Sequence, residues 1–222
     1  MYFRFIAISI ITLVFNSSSS FAQQANNAQN DPNTGSTAFK TLALSGQLIA
    51  YGRSNHDALA LLLAADMRKG LSLKNVSRKA AEDESDNSNT SNDEIEAILA
   101  EATKIAGDKE SYLELIEDVR ASASKGKSDG PAYNIKTIKA MGKNSYRNIE
   151  FSGGQYAEIY VEGSGRANLD LFVYDAKGRL VCSDTDPSDI NYCGWTPLAN
   201  GAYRVTIVNK SNRPNRYSLM TN

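Results

Sequence analysis

Residues 168–178 read Asn-Leu-Asp-Leu-Phe-Val-Tyr-Asp-Ala-Lys-Gly, and this stretch decides the fold class. Leu169, Leu171 and Val173 alternate with residues of the opposite face, which is the period of a β-strand with one buried side. The Asp and Gly that follow are residues that favour turns. The stretch therefore predicts a half-buried strand that ends in a turn.

The same alternation recurs on both sides of this strand. Ala157, Ile159 and Val161 share one face of a segment, and residues 203–207 repeat the pattern. The strands are expected at about 133–139, 146–151, 155–162, 169–175, 179–183, 202–208 and 216–221. Short alternating segments separated by turn residues are typical of an antiparallel β-sandwich.

Upstream, the spacing of the apolar residues becomes helical. Apolar stripes over about 37–51 and 58–69 predict two helices, and a second pair is expected over about 91–106 and 109–121. Phe39 corresponds to Ile95, 56 positions later, and the rest of the first stripe follows in register. The pairs are either a duplicated αα-hairpin or two unrelated amphipathic pairs.

Segments with few large apolar residues divide these parts. Residues 23–36 are predicted to be a disordered leader, residues 80–92 an acidic flexible loop and residues 125–132 a linker. The fold class is therefore α+β with two domains. A helical domain at 37–124 precedes a β-sandwich domain at 133–222, and we expect the two to fold separately.

The amino terminus has the pattern of a secretory signal peptide. Arg4 precedes an apolar run over residues 5–15, and Ser20-Phe21-Ala22 fits a cleavage site with small residues. The run is shorter than the roughly 20 residues that cross a bilayer. We expect residues 1–22 to be removed, and the protein to be exported to the periplasm or the extracellular space without a transmembrane span.

The only two cysteines are Cys182 and Cys193. An oxidising compartment favours a disulfide between them over metal or redox chemistry. The alternative, a nucleophilic cysteine, needs a nearby base, and the only histidine, His56, falls in the helical part. The disulfide is expected to contribute about 3 kcal/mol by closing a short loop.

Aspartates are frequent in one region of predicted strands and turns. Calcium prefers six to eight oxygen ligands, and carboxylates on turns could supply them. The alternative is that they are solvated turn residues. No cofactor is certain, and the candidate is Ca²⁺ held by Asp170, Asp175, Asp184, Asp186 and Asp189.

Charge gives a weaker indication of a partner. The net charge of -1 and the pI near 5.9 argue against nucleic-acid binding. No acidic residue follows Asp189, whereas basic residues continue to the end of the chain. If they cluster, they would bind an anionic polysaccharide or lipid head group, and if they are scattered they carry no function. The candidate basic patch is Arg204, Lys210, Arg213 and Arg216.

Several short motifs resemble one bacterial family in their order. They are Phe151-Ser152-Gly153-Gly154-Gln155, residues 168–178, Trp195-Thr196-Pro197, Gly201-Ala202-Tyr203-Arg204-Val205, Asn209 and Tyr217-Ser218-Leu219. Residues 133–222 resemble the bacterial pre-peptidase C-terminal domain, and the helical part is similar to the N-terminal part of uncharacterised secreted bacterial proteins.

The resemblance implies a jelly-roll-like β-sandwich on a secreted protein, often beside a protease or other hydrolase. Such domains contribute to secretion, Ca²⁺ binding or substrate adhesion. The family has Asp-Leu-Asp-Leu where this chain has Asn168-Leu169-Asp170-Leu171. One carboxylate of a carried-over metal site is therefore missing.

Two functions remain open from the sequence. The first is a secreted or periplasmic non-catalytic binding or accessory protein, whose sandwich binds a protein or polysaccharide of the cell envelope. The alternative is an exported hydrolase of peptidase or glycosidase type, or a hydrolase-associated subunit. No catalytic residue is predicted, because Asn55-His56-Asp57 lies where a helix begins and is explained by helix capping.

Overall fold

The computed structural model describes residues 28–81, 90–122, 130–165 and 167–222. The predicted signal peptide, most of the acidic loop and most of the linker lie outside these ranges. Within them, no helix is long and apolar enough to span a membrane. The helices are α1 (Thr37–Asn55), α2 (Ala58–Lys69), α3 (Ser91–Ala106) and α4 (Glu110–Ala121), with a 3₁₀ turn at Pro32–Thr34.

Two sheets form the second part of this α+β fold, and the predicted class is confirmed. The strands are β1 (Lys74–Asn75), β2 (Ala132–Ile138), β3 (Lys143–Phe151), β4 (Ala157–Gly163), β5 (Leu169–Tyr174), β6 (Leu180–Asp184), β7 (Ile190–Trp195), β8 (Gly201–Asn209) and β9 (Asn215–Thr221). A five-stranded sheet has the order β1-β2-β9-β4-β7, and a four-stranded sheet has the order β3-β8-β5-β6. Apart from the parallel pair β1 and β2, neighbouring strands are antiparallel.

The two sheets pack face to face as a sandwich. Alternate residues of β4, β5 and β8, such as Ile159, Leu171 and Val205, are buried in one apolar cluster between the sheets. Trp195 and Tyr217 are also in this cluster, as core aromatics. Strand β7 was not predicted, because Asn191 and Gly194 weaken its strand pattern.

The other face of the five-stranded sheet is covered by the helical part. Phe39 and Leu42 of α1 are fully buried against Tyr160 of β4 and Tyr192 of β7. Arg68 of α2 also reaches this face, where it pairs with a glutamate of β4. The molecule therefore has three layers, and one apolar cluster is shared by the helical part and the five-stranded sheet.

The segment that follows β1 closes one side of the sandwich. The Val76 amide donates to the Tyr133 carbonyl of β2, and the Ala81 amide donates to the Ser145 carbonyl of β3, both at 2.8 Å. Ala80 is buried in the cluster between the sheets. Residues 80 and 81 are thus part of the sandwich edge and not of a flexible loop, because backbone groups of both sheets bind this segment.

The predicted leader is also ordered from residue 28 onward. The Gln29 amide and carbonyl exchange hydrogen bonds of 2.7 and 2.8 Å with Gly194 at the free edge of β7. The Ser36 amide donates to the Glu158 carboxylate at 2.9 Å, which holds the start of α1 on the sheet. Low hydrophobicity predicted disorder for residues 23–36, but an unpaired strand edge gives residue 29 a hydrogen-bonding partner.

Capping residues lie at the ends of the helices. Asp57 caps α2 by accepting from the amides of Leu59 and Ala60. His56 ends α1 in the left-handed conformation, with φ of 53°. The capping box of α3 begins at Thr90. His56 is thus explained by the turn between the helices, and it is exposed.

Candidate functional site

The two cysteines are bonded, as predicted. Their sulfurs are 2.07 Å apart, and their Cα atoms are 6.0 Å apart. Cys182 belongs to β6 of the four-stranded sheet and Cys193 to β7 of the five-stranded sheet. The disulfide therefore joins the two sheets on the side opposite the segment 76–81, and its role is structural.

The five predicted calcium ligands do not form a site. Among the residues that the structure describes, no group of three or more His, Cys, Asp or Glu residues could hold a metal ion. Asp170 and Asp175 lie at opposite ends of β5, and five residues of strand span about 17 Å. The prediction failed because residues close in sequence along a strand are far apart in space.

Three of these carboxylates, those of Asp175, Asp184 and Asp189, instead accept hydrogen bonds from the protein itself. Asp175 accepts the amides of Lys177 and Arg179, and it forms an ion pair with Arg179 at 2.6 Å. Asp184 accepts the Tyr192 amide at 2.9 Å and the Asp186 amide at 3.3 Å. Asp189 accepts the Gly165 amide. Asp186 follows the end of β6 as a residue of the loop.

The pKa values of three of these aspartates shift in different directions, because burial raises them and hydrogen bonds lower them. Burial opposes the ionised form of Asp175, but the hydrogen bonds from Arg179 and Lys177 hold its pKa below the usual range. Burial raises the pKa of Asp184 in spite of the two backbone amides that it accepts. Asp170 has a raised pKa because of burial, which the nearby Lys210 ammonium partly opposes.

The predicted basic patch is also divided. Arg204 lies on β8 opposite Tyr174 of β5, whereas Lys210 directly follows the end of β8. The strand between Arg204 and Lys210 spans about 20 Å. Arg213 is exposed in the loop between β8 and β9. Arg216 lies on β9 of the other sheet and lines a small cavity beside α3. Only Arg204, of these four, belongs to the site described next.

Arg204 takes part in a cavity on the outer face of the four-stranded sheet. This cavity of about 440 Å³, which we call the Arg204 cavity, is also lined by Arg147, Asn148 and Lys177. The Arg204 guanidinium lies over the Tyr174 ring, with Cζ 4.5 Å from the ring centroid. Phe172 stacks beside Tyr174 at a centroid distance of 6.5 Å. The cationic groups of the cavity therefore lie next to a pair of aromatic rings, those of Phe172 and Tyr174.

A bulge in β3 explains why Arg147 faces this cavity. The pairing of β3 with β8 shifts register between Tyr146 and Ile149, and Asn148 has φ of 58°. A bulge adds a residue to one strand and turns its side chains. Arg147 and Asn148 are consequently both exposed, although they are consecutive.

A second cavity adjoins the first and shares Arg147 and Asn148 with it. This cavity of about 470 Å³, which we call the Arg78 cavity, is also lined by Ser77, Arg78, Lys79 and Glu150. It lies where the segment 76–81 meets β3 and β9. Neither Arg78 nor Lys79 was singled out in the sequence, because both stand next to a run that reads as a loop.

The cations of the two cavities share one property. Within the described ranges, none of them forms a salt bridge. Two carboxylates line the cavities: Asp175, which is paired with Arg179, and Glu150. The surface is therefore basic, and its unpaired cations are Arg78, Lys79, Arg147, Lys177 and Arg204.

The geometry favours anion binding. Guanidinium groups bind carboxylate or phosphate through two parallel hydrogen bonds. The Arg204 Nε atom is buried and has no hydrogen-bond partner, so it retains an unused donor.

His56 belongs to the turn after α1 and not to this face.

Comparison with known proteins gives partial similarities. No protein-family model matches the chain, and no curated protein matches it. The periplasmic inhibitor of g-type lysozyme from Aeromonas hydrophila matches 41% of this chain and 83% of its own, with 14% identity and a TM-score of 0.32. The mitogen from Yersinia pseudotuberculosis matches 41% of this chain and 84% of its own, with 16% identity and a TM-score of 0.28.

A designed double-stranded β-helix is similar to the same extent. It matches 40% of this chain and 97% of its own, with 10% identity and a TM-score of 0.27. At these scores the similarities carry no functional argument. The resemblance to the pre-peptidase C-terminal domain stays a prediction, since none of these matches tests it.

Proposed function

We propose that the protein is an exported, non-catalytic binding protein and that the Arg204 cavity binds an acidic polysaccharide of the cell envelope. The observation that carries this proposal is the presence of unpaired cations beside aromatic rings on one outer sheet face. Arg147, Lys177 and Arg204 supply the positive charge, and Phe172 and Tyr174 supply the rings.

Each feature fits one part of an acidic sugar. The carboxylate of a uronic acid is a planar acceptor that suits the guanidinium of Arg147 or Arg204. The apolar face of a sugar ring is flat and suits the half-buried rings of Phe172 and Tyr174. A concave surface that places a few charged groups close to aromatic side chains suits a small ligand or a sugar residue.

The proposed location agrees with two other features. A signal-peptide pattern begins the chain, and the Cys182–Cys193 disulfide is typical of an oxidising compartment. Acidic polysaccharides are accessible to a protein in such a compartment. The exported hydrolase, which was the alternative, has no observation in its favour among the described residues.

Binding to polygalacturonate tests the proposal. Isothermal titration calorimetry of the chain without residues 1–22 should give saturable binding to polygalacturonate and none to neutral dextran. Binding should weaken steeply with added salt, because exposed charges are screened. The double variant R147Q/R204Q should lose at least tenfold in affinity.

The matched control is the double variant K210Q/R213Q, which removes the same charge away from the cavity. It should bind polygalacturonate nearly as well as the wild-type protein. Equal losses in both variants, or equal binding of dextran, would refute the proposed site. Binding to vesicles of anionic lipid without binding to polygalacturonate would refute the proposed ligand.

A further inference from the structure

We propose that the Arg78 cavity is a separate binding site for a phosphate-type dianion, either the free ion or a phosphate monoester. The site shares Arg147 with the Arg204 cavity, but its central group is the Arg78 guanidinium. It is independent of the polysaccharide proposal and can be tested without it.

The Arg78 side chain is held in place on one side and unsatisfied on the other. Its Nη2 atom donates to the Thr221 hydroxyl of β9 at 2.8 Å. Its Nη1 atom is buried and has no hydrogen-bond partner. The guanidinium is therefore held in position by Thr221, and its Nη1 atom is a donor that no described group satisfies.

No described carboxylate neutralises this guanidinium. Burial lowers the pKa of Arg78, and the phenol of Tyr146 is the group that opposes this shift. An unpaired, partly buried charge destabilises a folded protein, so such charges are ordinarily paired with a counter-ion. The partly buried Arg78 charge thus has no counter-ion among the described side chains, and a bound anion would stabilise it.

The charge of the cavity indicates a dianion. The side chains of Arg78, Lys79 and Arg147 contribute three positive charges and that of Glu150 contributes one negative charge, which leaves a net side-chain charge of +2. Ser77 and Asn148 add a hydroxyl and an amide, which can donate to further oxygens. The cavity of about 470 Å³ also leaves space for a group esterified to the phosphate.

The position of the site gives binding a structural effect. Arg78 and Lys79 belong to the segment 76–81, whereas Arg147 belongs to β3 and Thr221 to β9. An anion bound between them would join the segment to both sheets. Since the ligand binds the folded state, it should raise the melting temperature.

The experiment uses inorganic phosphate at constant ionic strength, with chloride as the balancing ion. The full mature chain should show saturable heat in isothermal titration calorimetry. Its melting temperature should rise by about 5 °C or more at one hundred times the dissociation constant. Acetate, a monoanion, should bind at least tenfold more weakly.

Two variants identify the residues involved. R78Q should abolish the phosphate-dependent rise, and K79Q, an exposed change that leaves the fold intact, should weaken binding several-fold. Without phosphate, R78Q should melt at the wild-type temperature or above it, because an unpaired charge has been removed. The control R213Q, on an exposed loop, should keep the full response.

The source of the phosphate follows from a parallel titration with glucose 6-phosphate. Equal affinity would assign the site to the free ion, and tighter binding would assign it to an ester. Absence of saturable binding of both at 20 mM would overturn the proposal, as would an unchanged response in R78Q. R204Q should leave phosphate binding intact, so failure of the polysaccharide site and failure of this one are distinguishable.

Discussion

The buried ion pair between Arg68 and Glu162 should decide how firmly the helices are fixed to the sheet. The Arg68 Nη2 atom lies 2.6 Å from both carboxylate oxygens of Glu162. Its Nε atom donates to the Ser45 hydroxyl at 3.0 Å, and the Tyr160 hydroxyl donates to Glu162 at 3.1 Å. The side chains of Arg68 and Glu162 are 3% and 10% exposed, so water cannot replace either partner.

The variant E162Q removes the carboxylate that is hydrogen-bonded to the buried Arg68 charge, and Glu94 stays nearby as a second carboxylate without a hydrogen bond to Arg68. Removing one partner of such a pair costs about 3–5 kcal/mol of unfolding free energy. Replacing both partners by apolar groups of similar volume is often neutral or stabilising. The double variant R68M/E162L should therefore be clearly more stable than E162Q, although it carries one more substitution.

A matched surface pair provides the control. Arg53 and Glu101 are 3.0 Å apart but 38% and 35% exposed. Exposed pairs contribute about 0–1 kcal/mol, so E101Q should be nearly silent. The same chemical change is thus compared at a buried and an exposed position.

Urea unfolding can be followed with two probes. The fluorescence of Trp195, the only tryptophan, reports on the sandwich, and far-ultraviolet circular dichroism reports mainly on the helices. Because α1 and the five-stranded sheet share a core, both probes should give one coincident transition. A loss below 1 kcal/mol in E162Q, or an equal loss in E101Q, would refute the reasoning.

Two further predictions concern the edge between β6 and β7. The variant C182A/C193A should lose about 3 kcal/mol, the chain-entropy value for this loop, in the same urea assay; an unchanged midpoint would contradict the structural role of the disulfide. Burial raises the pKa of Asp184 in the folded protein above the 3.8 of the unfolded chain. The protonated carboxyl therefore stabilises the fold below pH 3.8, and this stabilisation is lost as the pH rises through the folded-state pKa. D184N should therefore lose less stability than the wild-type protein between pH 4 and 7, and parallel pH profiles would argue against this assignment.

Local periodicity was enough to predict most of the fold. Leu169, Leu171 and Val173 fixed one strand, and the stripes of α1 to α4 fixed the helices, because both patterns depend on neighbours in sequence. The other face of β4 was harder to interpret. Glu158, Tyr160 and Glu162 alternate with the core residues and look solvent-exposed, yet α1 and α2 cover them.

The candidate site could be predicted only in part. Arg204 was selected from the sequence. Arg147 lines the same cavity because of a bulge in β3, which the alternation of apolar residues in β3 does not reveal. Arg78 is far in sequence from Thr221 of β9, and the contact between them forms only in the complete sandwich. The aspartates of the predicted calcium site failed for the same reason, since nearness in sequence was taken as nearness in space.

The strand order has a consequence for how the protein can be made. The central strand of the five-stranded sheet is β9, which follows every other described strand along the chain. Until it arrives, β2 and β4 have no partner between them, and the sheet stays in separate pieces. The five-stranded sheet therefore cannot form from the residues that precede β9, and its pairing between residues distant in sequence makes its folding slow. A chain cut before residue 215 would leave β2 and β4 without the strand that both of them pair with, and it would not form the sandwich.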